Sequence, residues 1–290
     1  MRGVLFRLIV LLVSLVSVSG YARENHPIWK ITSKTNTVYL MGSVHAMKAD
    51  HYPLDRAFES TFDQAQHLVT EVDVDSLALE EVMRDLIIRG TYADGTTLDQ
   101  NVPADVFEQV KKIATSVGVA PQLLQPLRPW LVSLTLTSVY LQTKGFLAEN
   151  GLDQYFYTKA KRLQKGRQAL ESISFQTNLL ADMSDSVQMQ LLVQTLEDFD
   201  QADTTLAVLF QAWKTGDTAT LDHILSEAYT DSPELYHRLF LDRNLRWIPQ
   251  IEQLLTGADI YLVIVGAAHL VGKEGVVELL RAKGYTVEQL

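Results

Sequence analysis

The stretch VYLMGSVHAMK, residues 38–48, runs from apolar residues into Gly42 and sets His45 three positions further on. Near the other end of the chain IYLVIVGAAHLVG, residues 260–272, repeats the arrangement with Gly266 and His269. Apolar runs of this length read as strands, and an almost continuous one such as IYLVIVG as a strand covered on both faces. A glycine directly after a strand lets the backbone turn sharply or approach another group closely, because it has no Cβ. A histidine after that glycine enters the crevice beyond the strand's carboxyl end, where open α/β sheets place their ligands. Taken singly, His45 reads more readily as a turn residue bonded to backbone. Two such strands deliver both imidazoles to one edge of one sheet if they run parallel.

Working outward, IWKITS (28–33), a polar turn at KTN and TVYLMG (37–42) form the pattern of a hairpin. A helix is predicted from Leu54 to Gln66 behind Pro53, then a β-branched strand, HLVTEVDVD (67–75), that ends in acids. From about Ser76 to Leu255 the pattern is mostly helical, broken at YADGTT, GVAP, KGFLAENG and KTGDT. There ADVFEQVKKIATSV carries a stripe of Val106, Val110, Ile113 and Val117, and RQALES (167–172) reads as one short strand. After the strand IYLVIVG come a helix, GKEGVVELLRAKG, closed by Gly284, and a last strand in YTVEQL. The fold class is α/β (α+β): a central mixed β-sheet from the N- and C-terminal parts, with a large, mostly helical insertion at about 76–257, in a single domain over 23–290.

The first residues stand apart. Arg2 and Arg7 precede LIVLLVSLVSV (8–18), and Gly20 and Ala22 occupy small-residue positions, so 1–22 reads as a secretory signal peptide cut near Ala22. The apolar run is shorter than the ~20 residues that span a bilayer, so no stable membrane insertion is expected after cleavage, and the protein is expected to be periplasmic or secreted. With 290 residues and 47% hydrophobic content the chain can bury a sizeable core. It has no cysteine, which removes disulfides, a cysteine-linked lipid anchor, thiolate nucleophiles and thiolate ligands. Any metal site is then built from histidine and carboxylate. The net charge of -10 falls to -12 once Arg2 and Arg7 are lost, and the one basic cluster, KAKRLQKGR (159–167), reads as a solvated helix face. Binding to nucleic acid is not expected of such a chain.

Glu71 is the first acid at the end of the HLVTEVD strand, where Asp73 and Asp75 read as a solvated acidic tail. Two histidines and one carboxylate are a common ligand set for a divalent metal that leaves positions open for water or substrate. Water so held has a lowered pKa and can attack a carbonyl. A second anomaly lies in ELYHRLFLDRNLRWIPQIEQLL, whose apolar stripe runs through Tyr236, Phe240, Trp247, Ile251 and Leu255. Asn244 falls on that stripe with Arg243 beside it, and a polar residue on a buried face costs free energy unless it is paired. Both therefore point to partners in a site or in a polar core network. Pro249 is expected to kink or interrupt this helix. Glu171 repeats the strand-end position after RQAL, with Gln176 about a helical turn beyond. G-x-S-x-G, H-E-x-x-H, G-x-x-x-x-G-K-[ST] and a strand-linked G-x-G-x-x-G are absent.

The spaced set IWKI, VYLMGSVH, YPL and LVTEVD, then PLRPWLVSLTL, NGLDQYF, QALESISFQ and AWKTGD, then RN and YLVIVGAAHLVGKEGVVELLRAKGY, resembles the TraB/GumN family over almost the whole chain. That family includes the Tiki proteins, metal-dependent proteases that clip an amino-terminal segment from Wnt signalling proteins, and is related to the erythromycin-esterase-like and ChaN-like folds. Its plasmid TraB members are associated with shutting down a peptide pheromone. By this resemblance the two Gly-x-x-His motifs fall on His45 and His269, and the strand-end acid on Glu71. Arg243 and Asn244 match the late "RN", Glu171 and Gln176 the middle motif, and Asp153 the "G-(V/L)-D". Ser43 stands where threonine is more usual, and Pro249 is a departure in the late helix.

The reading that follows is an exported metal-dependent hydrolase, a peptidase, with Mn²⁺, Co²⁺ or Zn²⁺ held by His45, Glu71 and His269. Glu71, Arg243 and Asn244 are expected to be catalytic, Arg243 by stabilising an oxyanion or binding a substrate carboxylate. Glu171, Gln176 and Asp153 are expected to bind substrate or form a polar network. The expected partner is a peptide or small molecule. The alternative is a protein that captures such a ligand in the same crevice without cleaving it, and a third reading has the histidines bond substrate directly, without metal.

Overall fold

The computed structural model describes residues 25–73, 76–230 and 232–290, apart from the side chains of 76–82. The expected signal peptide and its cleavage position near Ala22, and Asp75, lie outside the described residues. The six strands β1 (Ile28–Thr32), β2 (Thr37–Ser43), β3 (His67–Thr70), β4 (Gly166–Ala169), β5 (Tyr261–Gly266) and β6 (Val287–Gln289) form one sheet in the order β4-β3-β5-β2-β1-β6. β1 and β2 are the expected hairpin, whose turn is pinned by the Asn36 and Thr35 N–H groups donating to Ser33 Oγ at 3.0 and 3.1 Å. Asn36 Nδ2 then donates to the carbonyls of Leu254 and Asp259, at 2.7 and 2.9 Å, which ties this turn to the start of β5.

β2, β5, β3 and β4 are mutually parallel, while β1 is antiparallel to both β2 and β6. The condition set by the two Gly-x-x-His motifs is therefore met, and the sheet is mixed. Ser43 pairs with Gly266 at the carboxyl end of the central strands. Side chains alternate across the pleat. Tyr39, Met41, Leu262 and Ile264 pack on one face with Phe58, Phe62 and Phe156. Val38, Leu40, Val263 and Val265 pack on the other with Trp247, Ile251 and Leu280. Both faces of β2 and β5 are covered, which is why their sequences run apolar without alternation. The helical portion builds a further apolar cluster around Leu98, Val110, Leu136 and Leu192.

Several boundaries differ from expectation for identifiable reasons. β3 ends at Thr70 and β4 at Ala169, so Glu71 and Glu171 lie just past their strands. The two segments stay together because Leu170 N–H donates to Thr70 O at 2.9 Å and Glu171 N–H to Glu71 O at 2.8 Å. In the helix Ala104–Ser116 the buried residues are Val106, Val110 and Ala114, spaced i, i+4, i+8 along one face, while Ile113 and Val117, just past the helix end, are only partly covered. The C-terminal helix is Val276–Ala282, shorter than predicted, because Gly272 takes a positive φ of 78° ahead of it. Pro249 does not interrupt its helix, which runs from Asp242 to Leu254. Pro249 lies on the exposed face, as does Leu245, 51% accessible, so water can take the carbonyl that the proline leaves without a donor. The irregularity falls earlier, where His237–Leu241 forms a π turn and Asp242 N–H donates back to His237 O.

Candidate active site

Both glycines of the two motifs have a steric reason. A Cβ on Gly42 would stand 3.0 Å from Ala267 Cα and Cβ, in the partner motif's turn. A Cβ on Gly266 would stand 3.3 Å from His45 Nε2, 3.5 Å from Glu71 Oε1 and 3.6 Å from His269 Cδ2. The glycine thus leaves open the space on which the two histidines and the acid converge. The loop carrying His45 is held from above, since Leu152 N–H, opening the helix Leu152–Arg162, donates to Val44 O at 3.1 Å. From below, Trp213 Nε1 donates to Gly42 O at 2.8 Å.

Arg243 sits at the centre with a side chain only 9% accessible. A guanidinium has five N–H groups and no acceptor, and all five are engaged. Nε donates to Glu171 at 3.1 and 3.2 Å, and Nη2 donates to Glu71 Oε2 at 2.5 Å and Glu171 Oε2 at 2.9 Å. Nη1 donates to Leu239 O, on the π turn, at 3.2 Å and to His269 Nε2 at 3.0 Å. Because Nε2 accepts, the proton of the neutral His269 ring is on Nδ1, which donates to Asn244 Oδ1 at 2.7 Å. Asn244 Nδ2 in turn donates to Glu274 O at 2.8 Å. The polar residue on the apolar stripe is thus the clamp that sets the orientation of His269. Phe240 and Trp247 flank that ring with centroids at 5.0 and 4.5 Å.

Glu71 accepts from Gly266 N–H at 2.7 Å on Oε1 and from Gln176 Nε2 at 3.0 Å on Oε2. Glu171 accepts from Gln176 Nε2 at 3.1 Å and from Trp247 Nε1 at 3.0 Å. Burial works against the charge of Glu71, but the imidazoles of His269 and His45, the Arg243 guanidinium and the Gly266 N–H outweigh it and hold the carboxyl at about 2. Burial drives His269 down to about 3, aided by the positive charges of Arg243 and His45 against the pull of Glu71. His269 is therefore neutral near pH 7.

His45 is different. Its side chain is 61% accessible, its Nδ1 lies 3.3 Å from Asp153 Oδ2 and its Nε2 4.0 Å from Glu71 Oε1. Enclosure by the crevice walls opposes its charge, yet the hydrogen bond and charge of Asp153, with Glu71 behind, raise it to about 9. Asp153 Oδ1 and Ser43 Oγ, both buried, have no hydrogen-bond partner.

The geometry thus assembles His45, Glu71, Asp153, Glu171, Gln176, Arg243, Asn244 and His269 around one centre. Asp73 is turned away and accepts a hydrogen bond from Tyr157. Sequence reasoning missed the Trp247 indole N–H, the Gly266 amide and the Leu239 carbonyl as polar members. In the sequence Trp247 reads only as an apolar stripe residue, and backbone groups leave no signal in side-chain patterning. A cavity of about 630 Å³ bordered by Ile88, Tyr92, Arg128 and Met189 lies in the helical portion, and none of these eight residues lines it.

The donor set fits a divalent ion in its chemistry. His45 has its Nδ1 on a carboxylate and its Nε2 over the open space above Gly266, the usual support of a metal-ligating imidazole. Glu71 Oε1 faces the same space. His269 is oriented in the same way by Asn244, but its Nε2 lone pair is given to Arg243. Among the described residues, no three His, Asp or Glu side chains stand together as a ready ligand group.

Residues 27–289 match the TraB/PrgY/gumN family. The chain is 26% identical over 263 residues to "Uncharacterized protein YbaP" of Escherichia coli (strain K12), covering 89% of this chain and 95% of that one. It is 23% identical over 324 residues to "Metalloprotease TIKI homolog" of Nematostella vectensis, covering 91% of this chain and 67% of that one. No solved structure gives a significant match. A match to the family over nearly the whole chain, with both Gly-x-x-His motifs meeting at one sheet edge, leads to one statement of kinship: the chain belongs to the TraB/PrgY/gumN family.

Proposed function

We propose that the protein is an exported, metal-dependent hydrolase of peptide bonds, working in the periplasm or outside the cell. The observation that carries this reading is the matched support of the two motif histidines. Each has its Nδ1 against a side-chain oxygen, Asp153 or Asn244; His45 Nε2 lies 4.0 Å from Glu71 Oε1, and His269 Nε2 meets the guanidinium that also binds Glu71 Oε2. The name of the Nematostella vectensis relative, a metalloprotease, points the same way.

His45 Nε2 and Glu71 Oε1 would hold the ion, with His269 Nε2 as the third donor, and Mn²⁺, Co²⁺ and Zn²⁺ all suit imidazole and carboxylate. When bound, such an ion supplies Lewis acidity, polarising a carbonyl and lowering the pKa of water. Asp153 keeps the His45 ring in one orientation, and His45 would have to be neutral, with Nε2 free of a proton, to hold the ion. Glu171 and Gln176 hold Arg243 and Glu71 in place, so the acid stays ionised in a buried position. Arg243, with every N–H engaged, positions Glu71 and His269 and has none left over for an oxyanion in this arrangement. The test is cleavage of a peptide library by protein purified without a chelator or a histidine tag. Cleavage should stop on adding chelator, return with Mn²⁺ and be lost in His45→Ala; cleavage indifferent to chelator would defeat the proposal.

A second reading, capture of a peptide or small molecule without cleavage, is favoured by one observation. Without an ion, Glu71, lowered to about 2, His269, lowered to about 3, and His45, raised to about 9, are none of them bases matched to neutral pH. Stoichiometric ligand recovery with no product, under saturating Mn²⁺, would favour this reading over the first.

A further inference from the structure

We propose that the Arg243 guanidinium and a divalent cation are alternative occupants of one donor set, so that full coordination of an ion requires Arg243 to withdraw. This rests on the ion assigned above. Arg243 donates at 3.0 Å to His269 Nε2, an atom the ion would need, and at 2.5 Å to Glu71 Oε2, on the carboxylate whose Oε1 would hold the ion. The imidazole Nε2 has one lone pair, which serves an N–H or a metal but not both. His269 cannot answer by offering its other nitrogen. Nδ1 is held at 2.7 Å by Asn244, which is itself anchored on Glu274 O at 2.8 Å.

The same contacts show how the exchange runs. His45 Nε2 and Glu71 Oε1 face the space above Gly266 and carry no guanidinium contact, and His45, 61% accessible, is the donor first met from solvent. Glu171 is a second anchor for Arg243, receiving Nε at 3.1 and 3.2 Å and Nη2 at 2.9 Å. Releasing Glu71 Oε2 and His269 therefore leaves the guanidinium still paired with a buried carboxylate, and at each stage Glu71 keeps a cation beside it. A buried carboxylate without one is strongly disfavoured. Glu171 thereby gains a specific task as the holding partner of Arg243 in the ion-loaded form. The Leu239 carbonyl on the π turn, 3.2 Å from Nη1, is the contact given up with it.

The test uses binding and spectroscopy on the full exported chain. Calorimetric titration with Mn²⁺ should show Arg243→Gln binding about tenfold or more tighter than wild type, within the usual range of coupling between two ligands of one protein. Wild-type protein labelled with ¹⁵N and titrated with Zn²⁺ should show the His269 Nε2 and Arg243 guanidinium resonances shifting together, at the concentration that saturates His45. Equal or weaker Mn²⁺ binding by folded Arg243→Gln overturns the proposal. So do unmoved Arg243 resonances while His45 takes up the ion, a result that leaves the ion itself in place. No ion binding by either protein overturns both readings together. If Arg243→Gln does not fold, the wild-type resonances decide alone.

Discussion

Arg243 Nη1 stands 3.0 Å from His269 Nε2, and the direction of that bond is fixed because a guanidinium can only donate. One contact thus settles the tautomer of a motif histidine that burial keeps neutral, and links it to the buried acid Glu71 through the same guanidinium. The centre is one interlocked unit, so removing any single member disturbs the others.

Arg243→Met leaves Glu71 and Glu171, 10% and 4% accessible, without their shared cation. Removing one partner from a buried ion pair costs about 3–5 kcal/mol, so the midpoint of urea unfolding should drop sharply. Arg243→Lys should recover little, because one ammonium cannot supply the planar set of five donors. A lysine variant as stable as wild type would contradict the bonding pattern given for Arg243.

Asn244→Leu removes the acceptor that holds His269 Nδ1–H and strands that proton in an apolar pocket. A buried donor left unpaired costs about 1–3 kcal/mol. Imidazole ¹⁵N spectra should keep the Nδ1–H tautomer, because Arg243 still donates to Nε2, but with the Nδ1–H signal shifted by the loss of its hydrogen bond, a readout that simple loss of packing would not produce.

Acid should destabilise the fold in two steps. His269 is lowered from 6.5 to about 3, so the unfolded chain binds a proton that the folded one refuses, and stability falls from pH 6.5 downward. Glu71 is lowered from 4.5 to about 2, so its contribution is present above 4.5 and is lost as pH falls through 2. His45 has the opposite sign, since its raised value of about 9 adds stability below 6.5 that fades as pH rises through 9, weakened by its exposure to solvent. Unfolding free energies measured from pH 3 to pH 10 check all three, and a flat profile between 6.5 and 4.5 would remove the His269 assignment.

Gly266→Ala separates site from fold. The glycine has an ordinary φ of -51°, so alanine is not strained in its backbone, but its Cβ would crowd His45 Nε2 at 3.3 Å and fill the space beside Glu71 Oε1, 3.5 Å away. We expect thermal unfolding to change little while divalent-ion affinity falls about tenfold or more, as removal of supporting geometry typically does. Unchanged affinity would mean that the ion does not use the space above this residue.

Much of this was legible in residue order because it depends on periodicity and on strand-to-turn junctions. The hairpin, the doubly covered β5, the helical insertion and the misplaced Asn244 all follow from which residue types recur at which spacing. The eight residues of the centre were legible partly from strand ends and partly from resemblance to a family. Boundaries were less so: β3 stops at Thr70, and the helix passes through Pro249, because an exposed proline leaves its orphaned carbonyl to water.

The sequence by itself determined that two histidines follow glycines at the ends of apolar strands and that a polar pair interrupts a buried stripe. Only the tertiary structure decided that the strands run parallel, that the polar pair is the clamp on His269, and that Arg243 stands between His269 and Glu71. The physical reason is that chain pattern encodes burial and local turns, whereas hydrogen-bond partners 25 to 172 residues apart are chosen by how the elements pack.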